Sequence, residues 1–177
     1  MTNGWIVLGA ALLIAAIAAV TDTRTGRIPN WLCLPPLVLA PCLYFLAGGP
    51  LALAQSFVGA VAGGLVPYLL FRSEAAGGGD VKLFAALGAI TGVHFVVEAQ
   101  LFSFLIAAAF SVCLVAARGQ LGALLSGTLR LALTPFGAKK AQKKQSEVRT
   151  PIRLGFSIFL GVLLSTWLTV SSIGWSL

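Results

Sequence analysis

Long apolar runs occupy most of the chain, and short polar stretches separate them. A run of about 20 apolar residues is typical of a transmembrane helix, because a helix satisfies its own backbone hydrogen bonds inside lipid. Six such runs lie at about residues 4–20, 31–47, 51–71, 81–97, 99–117 and 154–173. The pattern predicts an all-α polytopic membrane protein with six transmembrane helices, in a single membrane-embedded domain over residues 1–177.

Prolines, glycines and one glutamate mark bends and ends in these runs. Pro35, Pro36 and Pro41 lie inside the second run and predict a kinked helix, since proline removes an intrahelical hydrogen bond. The Gly-Gly-Pro sequence at residues 48–50 predicts a turn into the third run. We assign the boundary between the fourth and fifth runs to Glu98, the one charged residue there.

Small residues inside the apolar runs indicate packing more than chemistry. Gly59 and Gly63 have the small-xxx-small spacing that lets two membrane helices approach closely. The three cysteines, Cys33, Cys42 and Cys113, have neither metal-ligand spacing nor a pairing pattern, so we interpret them as small membrane-buried residues. We therefore expect no metal site and no cofactor.

The composition supports a membrane protein over a soluble domain. The chain is 58% hydrophobic and only 10% charged, and its mean hydropathy is +0.97. A soluble domain of this size needs a more highly charged surface. Because no basic residue precedes the first apolar run, we interpret that run as a retained helix and not as a cleaved signal peptide.

The positive charges indicate the topology. With six spans, all 12 Lys and Arg residues fall on one side, and the opposite side holds Glu98 and His94. The positive-inside rule makes the charged side cytoplasmic and puts both termini outside. We expect residues 118–153 to form a cytoplasmic basic loop, in which residues 120–133 lie on or dip into the bilayer. The net charge of +7 then reflects topology and attraction to lipid headgroups, and we expect no nucleic acid as a partner.

Two of the few acidic residues, Asp22 and Asp80, lie at this same face whichever way the protein is oriented. An ionisable residue at the edge of the hydrocarbon needs a partner or a purpose. Taken alone, each aspartate is well explained as the ion-pair partner of a nearby base, such as Arg24, Arg27 or Lys82.

The surroundings of the two aspartates favour chemistry. Asp80 follows three glycines, residues 77–79, which we expect to approach another chain closely and to adopt positive φ, and which put Asp80 near a helix N-terminus. Asp22 precedes a tight turn punctuated by Gly26 and Pro29. Two carboxyl groups that share one proton can act as general base and general acid, and so activate water against a peptide bond without a metal.

These residues resemble two signatures of the type IV prepilin peptidases. Asp22 followed by Ile28-Pro29-Asn30 is similar to the first signature, and residues 77–82, Gly-Gly-Gly-Asp-Val-Lys, are similar to the second, the G-x-G-D of membrane aspartic proteases. The resemblance spans most of the chain, because the last run also fits, loosely, the glycine-containing last helix of the family. Pro151, Gly155 and Gly161 carry that fit.

The resemblance implies an aspartic endopeptidase at the cytoplasmic face of the bacterial inner membrane. Its substrate would be a prepilin-like precursor, from which it removes the short basic leader. Asp22 and Asp80 would be the catalytic pair, while Gly77 and Gly79 would shape the loop that presents Asp80. Lys82 would orient or tune a carboxylate, or else extend its amine to the membrane surface. Pro29 and Asn30, from the first signature, would support the site.

One departure from the family pattern is informative. Larger members carry a cytoplasmic domain with two zinc-binding C-x-x-C pairs, together with N-methyltransferase activity. This sequence has no C-x-x-C and no room for that domain before the second span. It resembles the short, peptidase-only branch that serves tight-adherence (Flp) pili, so we expect no N-methylation. Archaeal preflagellin peptidases share both signatures, which leaves a flagellin-like substrate open.

Two further functions are weighed against this one. Presenilin-like or signal-peptide-peptidase-like proteases also use G-x-G-D, but a tyrosine normally precedes their first aspartate, where this chain has Thr21. A non-enzymatic assembly factor or a small transporter would use the aspartates only as ion-pair or proton-relay groups.

The net positive charge of the cytoplasmic face cannot attract a basic leader peptide. Local acidic residues would have to attract it, and Glu74 is a candidate beside the two aspartates.

Overall fold

The structure, a computed structural model, describes residues 3–73, 76–117 and 154–174, and those residues contain helices and no strand. The five helices are α1 (Asn3–Thr25), α2 (Asn30–Arg72), α3 (Gly78–Thr91), α4 (Val93–Ala117) and α5 (Leu154–Gly174). The predicted all-α class is thus confirmed. Glu74, Pro151 and the predicted basic loop 118–153, with its segment 120–133, lie outside the described residues.

The chain divides into two units. One unit comprises residues 1–106 together with 153–177, and the other comprises residues 107–152. Of the second unit the structure describes residues 107–117, which are the last part of α4. The first unit contains both aspartates of the candidate site, and the contacts described below all belong to it.

Four helices, α1, α2, α4 and α5, are long and apolar enough to cross a membrane. Large apolar side chains point outward along them; Leu46, Leu51 and Ile6 are between 71% and 80% exposed. In water such exposure would be costly, whereas lipid is an apolar surrounding for these side chains. The helices and their outward apolar surfaces make the chain a polytopic membrane protein.

Helix α2 is bent at a glycine. Its 43 residues would extend about 65 Å as one straight helix, roughly twice the hydrocarbon thickness. Gly49 interrupts it with φ 70° and ψ −159°, a backbone conformation that favours glycine, so α2 consists of two helical arms. The break coincides with the predicted turn at residues 48–50. Pro35, Pro36 and Pro41 lie within the first arm, where the backbone torsions stay helical.

The predicted boundary at Glu98 is wrong. Helix α3 ends at Thr91, and Gly92, with φ 82°, caps it by donating its N–H to the carbonyl of Gly88 at 2.9 Å. Helix α4 starts directly afterwards, and Glu98 continues it without a break. A charged residue such as Glu98 indicates that the chain is near a polar environment, but it does not end a helix. A helix ends where a residue can adopt non-helical torsions. Glycine supplies that freedom here.

Helix α1 is longer than its apolar run predicts, because it continues through the polar residues after residue 20. The hydroxyls of Thr21, Thr23 and Thr25 each donate to a carbonyl about one turn earlier, at 2.8–3.0 Å, and so need no other partner. Gly26, with φ 67°, ends the helix and donates its N–H to the carbonyl of Asp22. Asp22 therefore starts the last helical turn of α1.

Close packing of α2 against α3 confirms the interpretation of the small residues. A Cβ at Gly59 would overlap the carbonyl of Gly88, and a Cβ at Gly63 would overlap the carbonyl of Phe84. The side chain of Gln100 in α4 donates to the carbonyl of Gly63, which ties a third helix to this contact. The backbones touch only because glycine lacks a side chain, and this contact holds the middle and later part of α3 against α2.

Helix α1 packs against α5 and α3 through small side chains. Alanines line its inner face, and larger apolar residues of the other two helices fill the core against them. These buried residues are Ala11, Ala15, Ala18, Leu83, Leu87, Ile158 and Val162. The short alanine side chains bring the end of α1, with Asp22, close to the beginning of α5.

Candidate active site

Asp80 lies in the first turn of α3 and is largely buried, with 8% of its surface exposed. Gly77 is the residue that caps this helix, with an extended backbone at φ −83° and ψ 149°. Two reciprocal hydrogen bonds join them: the Gly77 N–H donates to Oδ2 of Asp80 at 3.0 Å, and the Asp80 N–H donates to the Gly77 carbonyl at 3.1 Å. This capping arrangement fixes the carboxyl group at the positive end of the helix.

The glycines before Asp80 allow the chain to pack closely against another segment, and they do not adopt positive φ. Our expectation of positive φ in residues 77–79 is wrong, because Gly77 is extended and the next two residues are already helical. The space is needed at Gly79, where a Cβ would lie 3.0 Å from the Cβ of Ile28. Ile28 belongs to the first predicted signature and Gly79 to the second, so the two signatures meet at this contact.

Asp22 is held from a distant part of the chain. Its Oδ2 accepts the N–H of Gly155 at 3.0 Å, across 133 residues of sequence. Gly155 is the second residue of α5, and a Cβ there would lie 2.8 Å from the same oxygen. Sequence reasoning singled out Gly155 only as part of a glycine-containing last helix. Its contact with Asp22 was not predicted. The one sequence feature that could have indicated this contact is a small residue in the first turn of the last apolar run.

Both aspartates line a single pocket of about 290 Å³. The remaining lining comes from residues 26–28, which follow α1, and from the glycines 77–79. The structure therefore brings together Asp22, Asp80 and parts of both predicted signatures. The pocket has room for water beside a peptide group, which is what a pair of acid and base carboxyls requires.

The bases considered as ion-pair partners do not pair with the aspartates in the part of the chain that the structure describes. Among the described residues neither aspartate forms an ion pair, although Arg24, Arg27 and Lys82 are all described. Arg27 lines the pocket without contacting a carboxylate within the 4.0 Å distance of an ion pair. In the described part of the chain, each aspartate instead accepts a hydrogen bond from a backbone N–H.

Comparison with known proteins identifies the family. The model of the type IV leader peptidase family matches residues 7–112, which are more than half of the chain and include both aspartates. The chain belongs to this family. No solved structure matches it.

Several relatives of this leader peptidase family member are named prepilin leader peptidase/N-methyltransferase. The one from Aeromonas salmonicida (strain A449) is 37% identical over 129 residues, covering 68% of this chain and 44% of the relative. The one from Klebsiella pneumoniae is 41% identical over 99 residues, covering 52% and 41%. The one from Vibrio cholerae serotype O1 (strain ATCC 39315 / El Tor Inaba N16961) is 30% identical over 112 residues, covering 59% and 44%. The chain thus spans less than half the length of these relatives.

In this leader peptidase family member the environment of Asp80 raises the pKa of its carboxyl group to about 6. Asp80 precedes the apolar run that begins at Val81, and its burial raises the pKa of its carboxyl above the ordinary value. The hydrogen bond from Gly77 lowers that pKa and the nearby charge of Asp22 raises it further, with burial the largest effect. A carboxyl group whose pKa is raised toward neutral pH suits the role of general acid.

The remaining residues of the two signatures join α2 to α3. Lys82 donates from Nζ to Oδ1 of Asn30 at 2.9 Å, and so ties the fifth residue of α3 to the first residue of α2. Pro29 precedes α2 with an extended backbone and accepts the N–H of Leu32 through its carbonyl. These residues lie beside the pocket and contact neither aspartate among the described interactions.

Candidate metal ligands are sparse in the part of the chain that the structure describes. No group of three His, Cys, Asp or Glu side chains there could hold a metal ion. Cys33 is buried, while Cys42 and Cys113 are exposed on outward apolar surfaces. Near the start of α4, Nδ1 of the exposed His94 lies 3.9 Å from Oε1 of the half-buried Glu98, one turn later on the same helix face.

Proposed function

We propose that this chain is an aspartic endopeptidase that removes the leader peptide from prepilin-like precursors. The observation that carries the proposal is the pair of aspartates in one pocket, within a member of the type IV leader peptidase family. The names of the relatives supply the class of substrate.

The arrangement supports the following reaction. Ionised Asp22 takes a proton from a water molecule as the water oxygen attacks the peptide carbonyl carbon, and protonated Asp80 gives its proton to the carbonyl oxygen. The intermediate then collapses with cleavage of the C–N bond. Asp22 passes its proton to the leaving nitrogen, while Asp80 recovers a proton from the intermediate's hydroxyl group. Both carboxyls return to their starting states, so the cycle needs no other reactant.

The assignment of roles rests on the environments of the two groups. Asp80 is the more buried of the two carboxyls, and burial disfavours its ionised form. Asp22 is only partly buried, and the backbone N–H that each carboxyl accepts at a helix start is common to both groups. The difference in burial therefore favours Asp80 as the acid and Asp22 as the base.

We also propose that the site faces the cytoplasm from the bacterial inner membrane. The support is the distribution of charge. With both arms of α2 and the 14-residue α3 counted as spans beside α1, α4 and α5, all 12 Lys and Arg residues fall on the side of the two aspartates. A prepilin leader is basic and cytoplasmic, so a cytoplasmic pocket at the membrane edge would meet the scissile bond where the leader joins the apolar helix.

We propose that the substrates are Flp-type precursors. We also propose that this chain does not N-methylate the cleaved product. The support is the absence of any C-x-x-C pair from the 177 residues, since the resemblance associates those pairs with the methyltransferase-bearing members. Preflagellin-like precursors are the alternative substrate, and the experiment below compares the two.

The test is co-expression of the chain with an Flp-type or a preflagellin-like precursor, with cleavage followed by immunoblot and the new N-terminus by mass spectrometry. The variants Asp22→Asn and Asp80→Asn keep the side-chain shape but cannot ionise. Each is expected to abolish cleavage while the protein remains in the membrane, and the wild-type product is expected to carry an unmethylated N-terminus.

The matched control is Glu98→Gln, which removes an acid from the start of α4 and should cleave normally. Cleavage by either aspartate variant at the wild-type rate would contradict the catalytic assignment. Normal pilus assembly with both aspartates replaced and no cleavage at all would favour a non-enzymatic assembly factor instead.

A further inference from the structure

A backbone N–H in the first turn of α5 that has no acceptor within the helix donates to Asp22. The first N–H groups of a helix have no acceptor within the helix, and Gly155 provides one of these groups as the second residue of α5. Its N–H lies 3.0 Å from Oδ2 of Asp22. The positive end of a helix and a free N–H thus act together on one carboxylate oxygen.

The absence of a side chain at Gly155 is as important as its N–H. A Cβ at this position would lie 2.7 Å from the Cβ of Asp22 and 3.1 Å from its Cγ. Carbon atoms in contact prefer about 3.5–4.0 Å, so even a methyl group here would push the Asp22 side chain away. Gly155 itself is buried, which leaves the methyl group no alternative position.

The two aspartates are held in the same manner. Each accepts a backbone N–H through Oδ2, from Gly155 in one case and from Gly77 in the other. In both cases the donor stands at the beginning of a helix. Within the described residues the Oδ1 atoms of both carboxyls form no hydrogen bond, so one oxygen of each is fixed while the other is available for water or substrate.

We propose that Gly155 is a positioning residue, whose N–H and missing side chain together hold the Asp22 carboxylate in the orientation that water activation requires. The inference rests on the proposed function, because it assigns a role within that reaction. A misplacement of about 1 Å can cost about 100-fold in rate. Gly155→Ala is therefore expected to lower kcat by about 10- to 100-fold while KM stays nearly unchanged.

The experiment uses the full chain, purified and reconstituted in lipid, with a purified Flp-type precursor as substrate. The matched control is Gly161→Ala in the same helix, where a Cβ would press on the side chain of Ser103 and lie 2.6 Å from its backbone nitrogen in α4. It adds the same methyl group to a tighter helix contact, away from both aspartates. Gly161→Ala is expected to cost more stability than Gly155→Ala but to keep kcat per folded molecule within about 3-fold, because its methyl group does not contact Asp22.

A second measurement does not depend on the folding of a Gly155 variant. Hydrogen exchange of the Gly155 amide is compared between the wild type and Asp22→Ala. The hydrogen bond to Oδ2 is expected to protect this amide, so its exchange should speed up about 10-fold or more in Asp22→Ala, while amides in the middle of α5 keep their protection.

The outcomes separate the two proposals. If the wild type cleaves, Asp22→Asn does not, and Gly155→Ala keeps the wild-type kcat, the positioning role is wrong and the proposed function stands. Equal loss in Gly155→Ala and Gly161→Ala, or unchanged exchange at Gly155 in Asp22→Ala, likewise overturns the positioning role. A reconstituted wild type that cleaves no prepilin-like precursor overturns the proposed function, and the positioning role with it.

Discussion

Gly79→Ala is the substitution that tests how the two signatures fit together. The new Cβ would lie 3.0 Å from the Cβ of Ile28 and 3.3 Å from its Cγ1. Contacting carbons prefer about 3.5–4.0 Å, so one of the two segments must move by about 0.5–1 Å. Gly79 directly precedes Asp80, and a shift of this size is expected to lower kcat about 10- to 100-fold. Overpacking of this kind typically costs about 1–3 kcal/mol of stability as well.

The assay is leader cleavage by the reconstituted protein, and the neighbouring glycine supplies the control. A Cβ at Gly78 would lie 3.4 Å from the ring of Phe71, which is an ordinary van der Waals contact with a side chain. Gly78→Ala makes the same chemical change one residue earlier in the same turn of α3. It is expected to retain most of the wild-type kcat, within about 3-fold.

A double-mutant cycle with Ile28→Ala tests the cause. Removing Cγ1 and Cδ1 of Ile28 takes away two of the three close contacts with the new methyl group, so the loss caused by Gly79→Ala should be smaller in that background. The reasoning is refuted if Gly79→Ala is as active as Gly78→Ala. It is equally refuted if the effects of Ile28→Ala and Gly79→Ala are strictly additive.

Two more predictions concern the acid and the helix contact. Because burial and the charge of Asp22 raise the pKa of Asp80, the alkaline limb of the pH profile of kcat/KM should lie above the ordinary range of an aspartic acid; a limb within that range would contradict the role of Asp80 as acid. Gly88→Ala should lower stability by at least about 1–3 kcal/mol in thermal unfolding in detergent, because its Cβ would overlap the backbone of Gly59. Gly9→Ala, with open space around the Cβ, should unfold like the wild type.

Patterns that depend on local chemistry predicted the fold well. Apolar runs predicted helices because lipid leaves the backbone few alternatives, and the Gly-Gly-Pro turn at residues 48–50 coincides with the break at Gly49. The predicted helix ends were wrong where polar residues were taken to mark them, because a helix ends where the backbone can leave helical torsions and not where the side chains become polar. Glu98 lies inside α4, which begins directly after Gly92. The threonines after residue 20 extend α1, because their hydroxyls donate to carbonyls of the same helix.

The candidate site was predictable only in part, for a related reason. Asp22 and Asp80 were identified because each stands beside a signature with its own local pattern, and they do line one pocket. The partner of Asp22 was not identified, because Gly155 is 133 residues away and no local pattern encodes which helix it meets. Lys82 was expected either to orient a carboxylate or to extend its amine to the membrane surface. It bonds to Asn30, a contact decided by how α2 and α3 pack.

The contact between α1 and α5 has a consequence for biosynthesis. A ribosome delivers this chain from its N-terminus, so Asp22 and Asp80 both reach the membrane while Gly155 has yet to be translated. Until the last helix is inserted and docked, the Asp22 carboxylate lacks the donor that fixes it. The nascent protein would thus carry both acidic groups before it could orient Asp22, whereas Asp80 has its donor in the neighbouring Gly77 from the start. The site would be complete only after α5 has docked.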